Sequence, residues 1–179
     1  MSNMQLITLL RRDMENSYEQ VVVVCSTVSA CFSYVSWMAV VKPKLDEEQI
    51  FLPYEYGAIA ISCLTSSLLA IRKFDDFFQD KKTRHDDVAV SDFGYEPSCI
   101  LTNAERKDIN KRIAHFTTAM DNAGNEIWVI DDLLLRLSAP LRDFLTFLAE
   151  QCGEEDKGEY FEISETIRYL DSSLKLLRS

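Results

Sequence analysis

The chain has 179 residues, of which 47% are hydrophobic, and this is enough to build one globular domain around a single core. Its 5 glycines and 4 prolines leave little material for a turn-rich all-β fold, and its hydrophobic share excludes an intrinsically disordered chain. The net charge of −10 at pH 7 disfavours DNA as a partner and any broad coating of a nucleic acid, although a local basic patch could still contact RNA.

The first predicted helix runs from about Asn3 to Val40, and we expect Pro43 to end it because a proline interrupts helical hydrogen bonding. The uncharged run from Val21 to Val41 is long enough to cross a bilayer. Serines within this run and the charged remainder of the chain favour a buried core helix instead. We therefore expect a core helix and no membrane partner, with a membrane-associated protein anchored by Val21 to Val41 as the alternative.

The cysteines indicate a cytoplasmic protein. Their number, 5, is odd, and no two of them have the C-x-x-C spacing of a zinc or redox motif. Thiols stay reduced in the cytosol, whereas disulfides form in oxidising compartments. We expect free, mostly buried thiols, no bound metal and no other cofactor.

The second predicted helix runs from about Glu55 to Lys82. Small side chains recur at helical spacing in both of the first two helices, which predicts a closely packed antiparallel hairpin. These small residues are Ser26, Ser29, Ser33 and Ser36 in the first helix and Ala58, Ser62, Ser66 and Ala70 in the second. The charged segment that follows, Asp80 to Cys99, is predicted to be a loop.

The third predicted helix begins after Thr102, which forms a T-x-x-E capping box with Glu105, and it should reach about Met120. The chain is then predicted to turn near Gly124.

Two more helices complete the prediction. One runs from about Glu126 to Gly153, with Pro140 expected to kink or split it, and the last begins near Ser164. No internal repeat or domain boundary is visible. Residues 1–179 are therefore predicted to form one all-α domain, a bundle of about five helices.

The third helix carries the most informative polar cluster. On a helical wheel at 100° per residue, Ile109, Ile113 and Phe116 share an apolar side. Two interpretations of the polar residues stay open: a site in which the histidine shuttles protons beside a bound phosphate, or a solvated face with ordinary ion pairs. These polar residues are Asp108, Lys111, Arg112 and His115.

The segment LTNAERKDINKRIAHFT, residues 101–117, resembles the motif helix of the HEPN superfamily of helical bundles, in particular its abortive-infection-related branch. The resemblance covers about Glu55 to Leu148 and includes SSLLAIRKFDDFF near the end of the second helix. It implies a metal-independent endoribonuclease, a toxin or phage-defence effector, that acts as a dimer. In that family a histidine assists attack of the ribose 2′-hydroxyl on the phosphate, and an arginine stabilises the phosphate charge.

By position in the motif, His115 matches the family histidine and Asn110 matches the polar residue that often follows the arginine. The arginine position itself holds Ile109. Arg106 lies too far from His115 for the family spacing, and Arg112 lies too close. We therefore predict a non-catalytic or partner-dependent binding module in a bacterial defence or toxin–antitoxin setting. The alternative is an endoribonuclease that uses His115 with one of these two arginines.

The candidate site residues follow from this comparison and from a second basic segment before the third helix. That segment is either a phosphate contact or a solvated helix end whose cations offset the helix dipole. The expected partners are a second copy of the chain, RNA or a cognate protein. The candidate catalytic residues are His115, Arg112, Asn110 and Asp108, and the candidate phosphate or RNA contacts are Lys111, Arg106, Lys81, Lys82 and Arg84.

Overall fold

The computed structural model describes residues 19–47, 53–82, 88–114, 130–152 and 156–178. Within these ranges the chain is helical and contains no strand, so the predicted all-α bundle is confirmed. A π-helical segment, Trp37–Val41, and a 3₁₀ turn, Val90–Phe93, interrupt the α-helices. The α-helices are α1 (Glu19–Cys31), α2 (Ser33–Ser36), α3 (Lys42–Glu47), α4 (Pro53–Phe78), α5 (Asn103–Ala114), α6 (Ile130–Gln151) and α7 (Lys157–Arg178).

The first predicted helix is not continuous. It bends by 47° at Phe32, whose backbone dihedrals of −98° and 7° leave the helical range, and it passes through the π-helical segment into α3. The expectation that Pro43 ends this helix was wrong, because helical structure continues from the π-helical segment through Pro43 to Glu47. The expected start at Asn3 lies outside the described residues.

No single helix in the described ranges is long and apolar enough to cross a membrane. Among the described residues, only α1 and the segment Ser33–Val41 taken together have the length and composition of a membrane span, and they are bent relative to each other by 47°.

The first helix packs against α4 through hydroxyl groups. The hydroxyl of Ser33 lies 3.3 Å from that of Ser67 and donates to the carbonyl of Cys63 at 3.2 Å. Ser67 is fully buried and also donates to the carbonyl of Ala30 at 3.3 Å. The predicted antiparallel hairpin is confirmed, because Ser33 of α2 contacts Cys63 of α4, whereas Ala30 of α1 contacts Ser67 one turn further along α4.

The predicted small-residue stripes are only partly right. In α4, Ser62 and Ser66 are exposed, and the close contact falls on Ser67 instead. The contact lies on Ser67 because Ile71 and Phe74, which are large and apolar, are buried on the core side of α4. Ser67 lies on that same side, one and two turns before them, and so faces the neighbouring helix. On the first helix and the start of α4, the exposed members of the stripes are Ser26, Ser29 and Ala58.

Aromatic residues form the centre of the core. Phe77 contacts Phe144 edge to face at 5.3 Å, which joins α4 to α6. Phe93 of the 3₁₀ turn packs on the same ring at 5.4 Å, so the segment before α5 is also anchored in the core. This anchoring gives structure to a segment that the sequence predicts to be a loop.

The last two helices pack side by side, and the second of them begins earlier than expected. α6 is unbroken across Pro140, so the predicted split did not occur. Pro140 has no backbone N–H and cannot donate a hydrogen bond to the carbonyl of Arg136. α7 begins at Lys157, seven residues before the predicted start near Ser164.

Candidate functional site

The capping box fixes the start of α5. The backbone N–H of Thr102 donates to the carboxylate of Glu105 at 2.8 Å, and the N–H of Glu105 donates to the Thr102 hydroxyl at 3.2 Å. The same carboxylate pairs with Arg136 of α6. Burial by itself would raise the pKa of Glu105, but the hydrogen bonds from Arg136 and Thr102 outweigh burial and lower it. The capping box that the sequence predicts is therefore formed, and it also ties α5 to α6.

Ile109 is fully buried on the inner side of α5. In the HEPN motif that the sequence resembles, this position holds the arginine. In this chain the side chain at this position points into the core. The helical wheel predicts this orientation for Ile109, and the structure confirms it. A phosphate cannot be reached from a fully buried position on the inner face.

A buried carboxylate, Asp75, holds α4, α5 and the segment between them together. The side chain of Asp75 has no exposed surface. Its Oδ2 atom accepts from Nε of Arg106 at 2.7 Å, and its Oδ1 atom accepts from the backbone N–H of Leu101 at 3.0 Å and from the Gln79 amide at 2.6 Å. Buried ionised groups persist in proteins when they are paired and fully hydrogen-bonded in this way.

These hydrogen bonds determine the protonation state of Asp75. Burial alone would raise the pKa of Asp75, because it penalises the charged form. Donation from Arg106, Leu101 and Gln79 to the ionised carboxylate outweighs this penalty and lowers the pKa below its ordinary value. Asp75 is thus an anion at neutral pH, and the same contact raises the pKa of Arg106.

Every nitrogen of the Arg106 guanidinium has a contact within the protein. Besides the bond to Asp75, Nη1 donates to the Asn103 side chain at 2.9 Å and Nη2 donates to the carbonyl of Leu101 at 3.2 Å. Nη2 also lies 3.9 Å from the sulfur of Cys99. Only 13% of the side chain remains exposed. Arg106 is therefore a structural cation here, and it could contact a phosphate only by breaking these bonds.

Arg72 forms a second connection between α4 and α5. Its Nε atom donates to the side-chain oxygen of Asn110 at 3.3 Å, while its guanidinium pairs with Asp76 one helical turn later. Asn110 is exposed on α5. A seam of polar residues thus follows the contact between α4 and α5, from Asn110 to the Asp75 carboxylate.

The remaining candidate residues are not gathered into one site by the described residues. Lys111 is exposed and Asp108 is half-buried on α5. Lys82 forms an ion pair with Asp92, which lowers the pKa of Asp92, whereas Lys81 is exposed without an ion pair among the described residues. Outside the described residues lie His115, Arg84 and the side chain of Arg112, so the predicted roles of these three stay predictions.

Asp75 is the residue that the sequence interpretation missed. Its only local signal is its position between Phe74 and Phe78, beside apolar residues that turn inward. Its partner Arg106 lies 31 positions further along the chain, so no helical spacing links them. Among the described residues, no group of histidine, cysteine and acidic side chains is arranged to hold a metal ion.

Comparisons with protein-family models, with curated proteins and with solved structures found no significant match to this chain. The similarity to the HEPN motif helix therefore stays a prediction from the sequence.

Proposed function

We propose that this protein is a HEPN-like helical module that binds RNA or a cognate protein without cleaving RNA. In this proposal it acts as a homodimer in the cytoplasm of a bacterium, in a phage-defence or toxin–antitoxin setting. One observation supports the absence of catalysis most strongly. The family arginine position is a buried core residue, Ile109, and the next arginine toward the N-terminus, Arg106, is held by the buried carboxylate of Asp75.

The chemistry of RNA cleavage explains the weight of this observation. Attack of a 2′-hydroxyl on a phosphate builds negative charge on the phosphate oxygens, and a positioned cation is usually the largest source of stabilisation for such charge. A guanidinium already bonded to a carboxylate, a carbonyl and an amide offers little to a second anion. A histidine alone supplies the smaller, proton-transfer part of the catalysis.

The outer face of α5 is the surface that we propose for binding. Lys107, Asn110 and Lys111 are exposed along it, while Ile109 anchors the opposite side in the core. Two lysines and an amide on one short helix fit the phosphates of an RNA or the acidic side chains of a protein partner.

Binding is tested with a fluorescein-labelled single-stranded RNA, by anisotropy at low and moderate salt. We expect the double variant Lys107→Ala/Lys111→Ala to weaken binding several-fold and to reduce its salt dependence. The control is Lys157→Ala/Lys175→Ala, which removes the same charge from exposed positions on α7. Equal weakening by both variants would show a bulk charge effect and would contradict binding at α5.

The proposed dimer is tested by size-exclusion chromatography with light scattering. A mass of two chains at micromolar concentration is expected. A mass of one chain at high micromolar concentration would contradict the dimer. It would not affect the proposal that the outer face of α5 binds RNA or a protein partner.

A further inference from the structure

A groove of about 420 Å³ lies between α1 and the C-terminal half of α4. Its volume falls within the range of roughly 300–1,000 Å³ that is typical of sites for small molecules. One apolar residue on it, Val23, keeps 58% of its surface exposed. The apolar residues that line the groove are Val23, Val24, Phe74, Phe77 and Val88.

The charged side chains that line the groove have a net positive charge. Lys73 and Lys81 both line it and are both exposed, and within the described ranges neither forms an ion pair. The carboxylate of Asp76, on the same groove, is already paired with Arg72. Among the described residues, the groove therefore offers two ammonium groups without an ion pair beside an apolar surface, on a chain whose net charge is −10.

The carbonyls at the C-terminal end of α4 do not offset the positive charge of the groove. A helix C-terminus normally carries partial negative charge on its unpaired carbonyls. Here the N–H of Lys81 donates to the carbonyl of Asp76 at 3.0 Å, and the N–H of Ser98 donates to the carbonyl of Phe78 at 2.7 Å. Asp80 supports this cap with a left-handed backbone, φ 59°. The cap satisfies the carbonyls and fixes the backbone of Lys81 at the groove.

We propose that the groove binds a small amphipathic anion. Its apolar body would lie against the valines and phenylalanines, and its carboxylate or phosphate head would pair with Lys73 and Lys81. The groove is separate from the outer face of α5, so this proposal stands or falls independently of the proposed function.

The experiment is isothermal titration of the full-length protein with decanoate, below the concentration at which decanoate forms micelles. We expect one decanoate to bind per chain, and 1-decanol, which lacks the charge, to bind at least tenfold more weakly. The variant Lys73→Gln/Lys81→Gln should weaken decanoate binding at least tenfold. The variant Val23→Glu, which places an acid on the apolar surface at an exposed position, should do the same. The control Lys107→Gln/Lys111→Gln removes equal charge from α5 and should leave decanoate affinity unchanged.

Circular dichroism of each variant confirms that it is folded before titration. No binding of decanoate to the wild type would overturn the proposal. So would binding of many decanoate molecules per chain, or equal affinity for decanol. An equal loss in the control variant, or association with anionic vesicles without any binding of monomeric decanoate, would overturn it as well.

Discussion

Nε of Arg106 lies 2.7 Å from Oδ2 of Asp75, a carboxylate with no exposed surface. This ion pair joins α4 to α5. It also keeps Arg106 mostly buried, and Arg106 is the nearest arginine on the N-terminal side of position 109. The same carboxylate accepts the backbone N–H of Leu101, so it also fixes the chain as it enters the capping box of α5. One buried anion therefore sets the position of the helix on which the candidate site lies.

The first prediction concerns the stability that Asp75 provides. Asp75→Asn removes the charge but keeps the size of the side chain, and it leaves the mostly buried Arg106 without its anion. We expect the free energy of unfolding to fall by about 3 kcal/mol, as measured by urea denaturation. The control is Asp76→Asn, because Asp76 is 36% exposed and its ion pair with Arg72 should contribute about 1 kcal/mol or less. Equal losses in the two variants would contradict the role of Asp75.

The second prediction concerns the pH dependence of that loss. Asp75 has a lowered pKa in the folded protein, against an ordinary value near 3.8. Its stabilisation is therefore complete above pH 3.8 and disappears as the pH falls through the lower folded value. The difference in unfolding free energy between wild type and Asp75→Asn should be constant between pH 5 and pH 7 and should shrink below about pH 4. Urea denaturation at a series of pH values measures it, and a difference that stays constant down to pH 3 would be inconsistent with an ionised Asp75.

The third prediction concerns the start of α5. Thr102→Ala removes the hydroxyl that accepts the N–H of Glu105, and we expect a loss of about 1 kcal/mol in unfolding free energy. Thr102→Ser keeps the hydroxyl and should lose much less. Thermal or urea unfolding of the three proteins provides the comparison. If serine and alanine were equally destabilising, the capping hydrogen bond would not be the cause.

The fourth prediction concerns the contact between α1 and α4. Ser67→Val adds bulk at a fully buried position and removes the hydroxyl that accepts the N–H of Tyr34 at 3.3 Å. We expect a loss of about 2 kcal/mol, from overpacking and an unsatisfied polar group. Ser66→Val makes the same change one residue away, at an exposed position, and should shift stability by about 0.5 kcal/mol or less. Urea denaturation measures both, and similar losses would place the helix contact elsewhere.

Local patterns in the sequence predict much of the fold. The T-x-x-E spacing gives the start of α5, and the helical wheel gives the burial of Ile109, because both depend only on residues within one turn or two of a helix. The bend at Phe32 and the π-helical segment after it are not predictable in this way. No local pattern in the sequence marks either of them.

The candidate site is only half predictable for the same reason. The wheel separates the apolar side of α5 from its polar side correctly at Ile109. It cannot assign Arg106, because the fate of that side chain depends on Asp75 in a different helix. An arginine near a histidine motif predicts a phosphate contact from the sequence, whereas the buried carboxylate makes it a structural residue.

We propose that this protein does not cleave RNA, and an assay of RNA cleavage by the pure protein with EDTA present tests that proposal most directly. Wild type and His115→Ala are incubated with a labelled RNA, and the products are separated on a denaturing gel. We predict that both proteins leave the RNA at the background of a protein-free control. Cleavage above that background by the wild type, lost in His115→Ala, would contradict the proposal and would show that His115 acts in an active site that does not need an arginine at position 109.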